Sequence, residues 1–463
     1  MRIASAEEGF AYLQSFTNLE KTPSLSEREY RLDRVKYLFE KFESPQNGIN
    51  LIHVAGSKGK GSTALYAASI LKEMGFKTGL YASPHILSFK ERISLSAAFF
   101  SDKVYIENIN LIKNFIESES IPFESMPTTF ELLTLLAFLI FSQEKCSWAV
   151  IETGIGGRLD ATNIITPVCS VITPIELEHT EILGTHLKDI AYEKAGIIKK
   201  NIPSVTAKQK QEVLEVLNAK AGKENSTLTP IDKVLDIKEI SLSEKGTCFS
   251  FVFKTDNEKI VLSQESQKQY DFKTKMIGAF QAENSTLAIV AVKKALESTA
   301  FSIKTEEFYY KCKKGIAKAF APGRVEYIFL GEKKPALIID SSHTEVSAEK
   351  LADVIRSIKK ERNAILIFGA VEGKDYKKIL GKFKNLFTEI IVSTPGTFKK
   401  SNPKAIYEYL KLELLAINAI NNVYIEKKPA DAFKTALNKA GKNGLIVVAG
   451  SFYMAGEIKK ILN

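Results

Sequence analysis

The stretch LIHVAGSKGKGSTALYAASILKEMG, residues 51–75, sets the frame for the whole chain. Asn50 to Ala55 is apolar and reads as a strand. A glycine-rich turn follows, and Ser62 to Met74 reads as a helix closed by Gly75. Glycines 56, 59 and 61 let backbone N–H groups turn toward an anion with no Cβ in the way. The helix behind them adds the positive end of its dipole. Lys60 is long enough to reach a β- or γ-phosphate, and the hydroxyls of Ser62 and Thr63 can meet phosphate or a metal ion. The spacing departs from G-x-x-x-x-G-K-[ST], because Gly61 stands between Lys60 and Ser62. A plain strand-to-helix connection explains the glycines but not the lysine and the paired hydroxyls. ATP carried with magnesium is the expected ligand.

Strands and helices alternate outward from this turn. Thr78 to Ala82 reads as a short strand, Thr129 to Phe141 as a buried helix, and Trp148 to Glu152 and Val168 to Thr173 as further buried strands. This rhythm predicts an α/β fold with a mostly parallel sheet between helices. From about Ser204 to Lys275 the pattern changes, and runs such as Thr247 to Phe253 alternate as in a small antiparallel side sheet. Near Ala317 to Arg324 a lysine-rich helix runs into Ala-Pro-Gly-Arg, which reads as a seam. Beyond it, Ala336 to Asp340, Ala364 to Gly369, Glu389 to Ser393, Val423 to Ile425 and Leu445 to Ala449 read as strands of a second, smaller Rossmann-like α/β domain. The expected units are 1–318, a nucleotide-binding domain with a phosphate loop, and 319–463.

The whole-chain figures agree with this division. A chain of 463 residues is too long for one ordinary core and suits two domains. Lys and Arg number 64 against 54 for Asp and Glu, a net charge of +10, but the excess is scattered without the block of a nucleic-acid arm. Small anionic partners are expected, and neither nucleic acid nor membrane. Four separated cysteines without a C-x-x-C pair argue against a disulfide framework or zinc site. Glu7 and Glu8 stand where a signal peptide would turn apolar, so a cytoplasmic, soluble chain is expected, monomeric by default.

Other candidate residues gather at strand ends. Glu152 closes an apolar strand and opens ETGIGGRLDATN, so its carboxylate belongs at the carboxyl edge of the sheet, where ligands of open α/β sheets bind. His179 follows the next strand, in PIELEHTEILG, and Ser83 and His85 follow another, in YASPHIL. A carboxylate at such an edge suits magnesium, which takes few protein oxygens and keeps water. Histidine is a less usual magnesium ligand, and alone His179 reads as a satisfied polar residue.

Taken together these segments resemble the folylpolyglutamate synthase/dihydrofolate synthase family, within the ATP-dependent Mur-type ligases. The resemblance is carried in order by HVAGSKGKGST, YASPHILSFKERI, TTFELLT, IETGIGGRLDATNII, EHTEILG, YEKAGIIK, GAFQAEN, APGRVE, IDSSHTEVSA, FGAVEGKD and VVAGSFY, over roughly residues 30–456. It implies that Gly59, Lys60, Gly61 and Ser62 hold the ATP phosphates, and that Asn284, Arg324 and Asp340 contact the nucleotide. It implies Ser83 and Glu152 as ligands of one magnesium and His179 as a ligand of a second, with potassium as a further candidate ion. Lys194, in YEKAG, matches a lysine that the family carboxylates on its ε-nitrogen, which supplies an anionic oxygen near the metal. By sequence alone Lys194 is an unremarkable surface lysine. Thr128, Thr129, Phe130 and Glu131 match the pterin-side pocket, Ser83, Pro84 and His85 belong to the loop that favours folate, and Asp160 lies in a loop also associated with the pocket. His343 is a candidate for positioning glutamate or the transferring phosphoryl group. Ser341, Ser342, Thr344, Glu178 and Lys58 depart from the commoner bacterial patterns.

The implied reaction is ATP-dependent ligation of L-glutamate to folates, with dihydropteroate as a further acceptor, through an acyl phosphate; Lys60, Lys194 and His343 form the implied catalytic set. Two rivals remain on sequence grounds. One is a cell-wall amino-acid ligase, which would call for an additional N-terminal domain where only about 50 residues precede the phosphate loop. The other is a nucleotide-dependent switch, which leaves the metal rim and the second domain unexplained.

Overall fold

A computed structural model describes residues 2–18, 32–96, 98–119, 121, 126–254, 268–299, 301–383, 385–417 and 422–462. The first sheet contains β1 (Asn50–Ala55), β2 (Thr78–Tyr81), β3 (Ile93–Leu95), β4 (Trp148–Glu152), β5 (Cys169–Ile172), β6 (Ser204–Thr206) and β7 (Leu228–Pro230), in the order β3-β2-β4-β1-β5-β6-β7. All neighbours pair in parallel except β2 with β3. Both faces of this sheet are covered, so its central strands are mostly apolar, with alternate residues serving opposite layers and the buried polar His53 and Ser170 among the exceptions. Ile52 and Val54 pack under the helices Lys60–Glu73, Ala279–Ser298 and Thr305–Lys318. Leu51 faces the other layer, with the helices Ala6–Gln14, Asp102–Ser118 and Thr129–Gln143.

A separate antiparallel sheet has β9 (Gly246–Phe253) between β8 (Leu235–Ser243) and β10 (Gln269–Thr274). The predicted side sheet is present but begins at Leu235 rather than Ser204, because Ser204–Thr206 and Leu228–Pro230 extend the first sheet in parallel; 255–267 of the predicted span lie outside the described residues. Phe249, Phe251 and Phe272 stack on its inner face and join the core of the first domain.

The third sheet contains β11 (Glu326–Phe329), β12 (Ala336–Ile339), β13 (Ala364–Phe368), β14 (Glu389–Val392), β15 (Asn422–Ile425) and β16 (Leu445–Ala449), in the order β11-β12-β16-β13-β14-β15. Only β11 runs antiparallel to its neighbour. A Glu244–Arg362 ion pair ties the β8–β9 turn to this sheet's layer of helices. No described helix is long and apolar enough to cross a membrane.

Several element ends differ from the sequence expectation by a residue or two, and one difference bears on the site. The helix after β1 starts at Lys60 rather than Ser62. Gly59 is its N-cap, with φ +88, so Lys60 and Gly61 already lie in the first helical turn. The turn is shorter than the glycine spacing suggests, and more of the anion-facing amides belong to the helix.

Candidate active site

The carboxyl edges of the first and third sheets face each other across a cavity of about 440 Å³. Its lining takes Gly59–Ser62 from the exit of β1, Ser83 and Pro84 after β2, and Glu152 from the end of β4. Glu178 and His179 come from the segment after β5. Asn284 comes from the helix Ala279–Ser298, and Arg324, Asp340 and His343 from the far side.

The phosphate loop is held from below. Ser57 and Lys58 both donate their N–H to Pro174 O, at 2.9 and 3.2 Å, which docks the loop on the exit of β5. Lys60 Nζ donates to Gly56 O at 3.0 Å. A Cβ on Gly59 would lie 2.4 Å from Asn284 Oδ1, and one on Gly61 would lie 3.2 Å from Glu152 Oε2. These two glycines allow the loop, the amide and the carboxylate to crowd together, and a side chain at either position would push them apart.

Glu152 is 3% exposed, and Oε2 accepts the N–H of Ser83 at 3.0 Å. Among the described residues it forms no ion pair, and burial raises its pKa against the pull of Lys60. A buried carboxylate facing a cavity without a paired cation is costly unless a cation arrives. No group of three or more His, Cys, Asp or Glu among the described residues is arranged to cage a metal. A single carboxylate with a neighbouring hydroxyl and room for water and phosphate fits magnesium better than a metal that needs a full protein cage.

Lys194 corrects the sequence expectation of a surface lysine. Its side chain is 2% exposed, and Nζ donates to Gly56 O at 2.7 Å and to Glu178 Oε1 at 2.9 Å. It lies behind the phosphate loop rather than in the cavity lining. Burial outweighs the pull of Glu178 and brings its pKa down to about 8. The shift is toward the neutral amine, the form that a carboxylation at nitrogen requires.

Glu178 is opposed by burial, but Lys194, then Lys60 and Lys58, bring its pKa down to about 2. Its folded pKa lies below the unfolded value, so its stabilisation is present above pH 4.5 and is lost as pH falls toward 2. Glu178→Gln is expected to cost about 3–5 kcal/mol at pH 7, because Lys194 loses its buried partner. The deficit should shrink by about 1.4 kcal/mol per pH unit below 4.5. Urea unfolding of both proteins at pH 7 and 3.5 measures it; a deficit independent of pH would contradict the assignment.

On the far side, Asp340 accepts from Val325 N at 2.9 Å and Ser342 N at 2.8 Å, which fixes the turn after β12. The Arg324 guanidinium lies 4.7 Å from the centre of the Phe452 ring. His343 Nδ1 is 3.0 Å from Ser341 O, which can only accept, so Nδ1 carries the proton and donates it in that bond, leaving Nε2 as an acceptor. Burial, then Lys58, brings the His343 pKa down to about 3. His179 caps a short helix in the left-handed region, at φ 48, with its ring lining the cavity.

Thr128 caps the helix Thr129–Gln143 through Oγ1, and Thr129 Oγ1 donates to Leu13 O at 3.0 Å. Glu131 is spent on structure: Oε1 accepts from Arg34 Nε and Nη2, and Oε2 accepts from Thr128 N. Asp160 likewise accepts from Gly154 N, Ile155 N, Thr162 N and Thr162 Oγ1. Phe130 leaves a face on the cavity beside Gly154. His85 is not in the cavity lining. Its Nδ1 accepts from Arg92 Nε at 2.9 Å, and its ring packs on Phe89.

Several lining residues have no counterpart among the predicted site residues: Gln281, Lys350, Lys374, Lys399, Phe452 and Tyr453. The last two follow β16, where the strand-end reasoning used for Glu152 would have found them.

Comparison with known proteins gives the same architecture a relation. The Mur ligase middle domain matches residues 54–292, and the Mur ligase glutamate ligase domain matches 323–452. A dihydrofolate synthase/folylpolyglutamate synthase of Bacillus subtilis is 31% identical over 433 residues, covering 93% of this chain and 94% of that protein. The crystal structure of a folylpolyglutamate synthase from Thermotoga maritima superposes with a TM-score of 0.79 at 28% identity, over 99% of this chain and 96% of that one. A folylpolyglutamate synthase complex with AMPPCP and folate superposes with a TM-score of 0.77 at 25% identity, over 99% and 100%. With its two sheets facing one cavity, the chain belongs to the Mur ligases, in the folylpolyglutamate synthase/dihydrofolate synthase family.

Proposed function

We propose that this chain is an ATP-dependent ligase that joins L-glutamate to folates, and that its units are 1–318 and 319–463. The observation that carries the reading is the single cavity between the phosphate loop with Glu152 on one edge and Arg324, Asp340 and His343 on the other. A folate carboxylate oxygen attacks the γ-phosphorus of ATP, the bond to the bridging oxygen breaks, and ADP leaves with the electron pair. The neutral glutamate amine then attacks the acyl carbon of the acyl phosphate, the carbon–oxygen bond breaks, and phosphate leaves from the tetrahedral intermediate with the electron pair and the proton that the nitrogen gives up.

The amides of 59–62 and Lys60 hold the phosphates where negative charge concentrates. Glu152 with Ser83 would hold one magnesium and His179 would help hold a second, each of which when bound neutralises phosphate charge, while Lys194, behind the loop on Gly56 O and Glu178, braces the loop and that carboxylate. Asn284, Arg324 and Asp340 grip the nucleotide from both edges, so closing the cleft excludes water from the acyl phosphate. His343 presents an unprotonated Nε2, an acceptor, and so positions the glutamate amine rather than a phosphoryl oxygen. With a pKa of about 3 it orients rather than carries a proton. The Phe130 face is the pterin platform, while Glu131 and Asp160 shape the pocket from beneath it.

The test supplies purified protein with ATP, magnesium and labelled glutamate, with tetrahydrofolate, dihydropteroate or a UDP-muramoyl substrate in parallel. Label is expected in tetrahydrofolate, and label in dihydropteroate as well makes the enzyme bifunctional. Label in neither pterin overturns the reading, and label in the UDP-muramoyl product alone replaces it with the cell-wall ligase.

A further inference from the structure

Three lysines surround the phosphate loop, and they differ in what their ammonium groups do. Lys60 and Lys194 each donate to Gly56 O. Among the described residues no hydrogen bond reaches Lys58 Nζ. It has an ion pair with Glu178 Oε2 at 3.6 Å, beyond hydrogen-bond distance, while Oε1 of the same carboxylate is held by Lys194 at 2.9 Å. Its side chain is only 20% exposed and lines the cavity. Burial makes the Lys58 ammonium harder to keep charged. A largely desolvated ammonium with its donors unused is an unfavourable arrangement in the empty protein, and a compact anion brought to it would relieve it.

The surroundings say where that anion sits. Lys58 immediately precedes the N-cap of the phosphate-loop helix. It is within electrostatic reach of Glu178, Glu176, Lys60 and Arg324. It is also the strongest charge acting on His343, which belongs to the far edge of the cavity. Lys58 thus shares one cavity with the phosphate-loop lysine Lys60 and with Arg324 and His343 of the far edge. Glu178 attracts the Lys58 ammonium from 3.6 Å without taking a hydrogen bond from it.

We propose that Lys58 is a second phosphoryl-binding lysine, which leaves Glu178 to contact the γ-phosphoryl group as it passes from ATP to the folate carboxylate. The inference rests on the ligase reading above. Lys58 stays protonated throughout: the carboxylate oxygen–phosphorus bond forms, the bond to the ADP oxygen breaks, and its N–H groups follow the phosphoryl oxygens.

Kinetics of Lys58→Gln and Lys58→Arg test this. Lys58→Gln is expected to lower kcat roughly 100-fold, with the KM values for ATP and glutamate within about threefold, and Lys58→Arg to restore most of the loss. Binding of ADP with aluminium fluoride, a mimic of the moving phosphoryl group, should weaken roughly 100-fold in Lys58→Gln while binding of ADP alone holds. This second measurement uses no pterin, so it stands or falls separately from the identity of the acceptor. Unchanged kcat with unchanged fluoride trapping overturns the proposal. So does a selective rise in the KM for glutamate, which would make Lys58 a carboxylate ligand. Should Lys58→Gln fail to fold, a crystal of the wild-type protein with ADP and aluminium fluoride decides: Nζ on a fluoride supports the proposal, and Nζ still on Glu178 contradicts it.

Discussion

Lys60→Ala is expected to lower kcat roughly 1,000-fold while the protein keeps its fold. The side chain lines the cavity rather than a core, and its contact with the protein is the hydrogen bond to Gly56 O. Lys194 donates to that same oxygen, so the carbonyl remains satisfied when Lys60 is shortened. What disappears is a cation at the first helical turn, where the phosphates meet the amides of 59–62. Removal of one preorganised charge from a water-excluded site costs roughly 3–4 kcal/mol of transition-state stabilisation. The measurement is kcat beside the thermal midpoint. A variant retaining a tenth of the turnover would remove Lys60 from its proposed place.

Glu152→Gln should separate activity from stability. The amide keeps the size of the side chain and its acceptor for Ser83 N but removes a buried charge that no described residue pairs. Stability is expected to hold or rise, since an uncompensated buried carboxylate opposes folding. Turnover is expected to fall about 1,000-fold, because the carboxylate is the proposed magnesium ligand. Magnesium titration of activity and urea unfolding at pH 7 measure the two effects. A variant that is inactive because it is unfolded would point to a packing role instead.

The parts that could be read from the sequence are those written in local patterns. Strands β1, β4, β5, β12, β13 and β16 are covered on both faces and stand out as apolar runs, so the two parallel sheets follow directly. Strands β3, β6 and β7 have three residues each, too few for any period to show. At the site, the phosphate loop and Glu152 can be read because each is a strand end followed by a turn. Lys194 cannot, since its partners Glu178 and Gly56 lie 16 and 138 positions away. A lysine is by default a solvated residue, and only tertiary packing makes it a buried one. Glu131 is similar: its partner Arg34 is 97 positions distant, so the carboxylate resembles a ligand group until the ion pair is seen. His85 sits in a loop whose Ser83 and Pro84 reach the cavity, but its own ring turns to Arg92 and Phe89. Lys350, Lys374 and Lys399 join the cavity only because the edge of the third sheet faces the first.

A crystal structure of this chain with AMPPCP and magnesium bears most directly on whether the seam grips a triphosphate. The expected result is phosphate oxygens on the amides of 59–62 and on Lys60 Nζ, with magnesium about 2.1 Å from a Glu152 oxygen. A nucleotide bound elsewhere, with the loop filled by side chains and Glu152 turned into the protein, would contradict it.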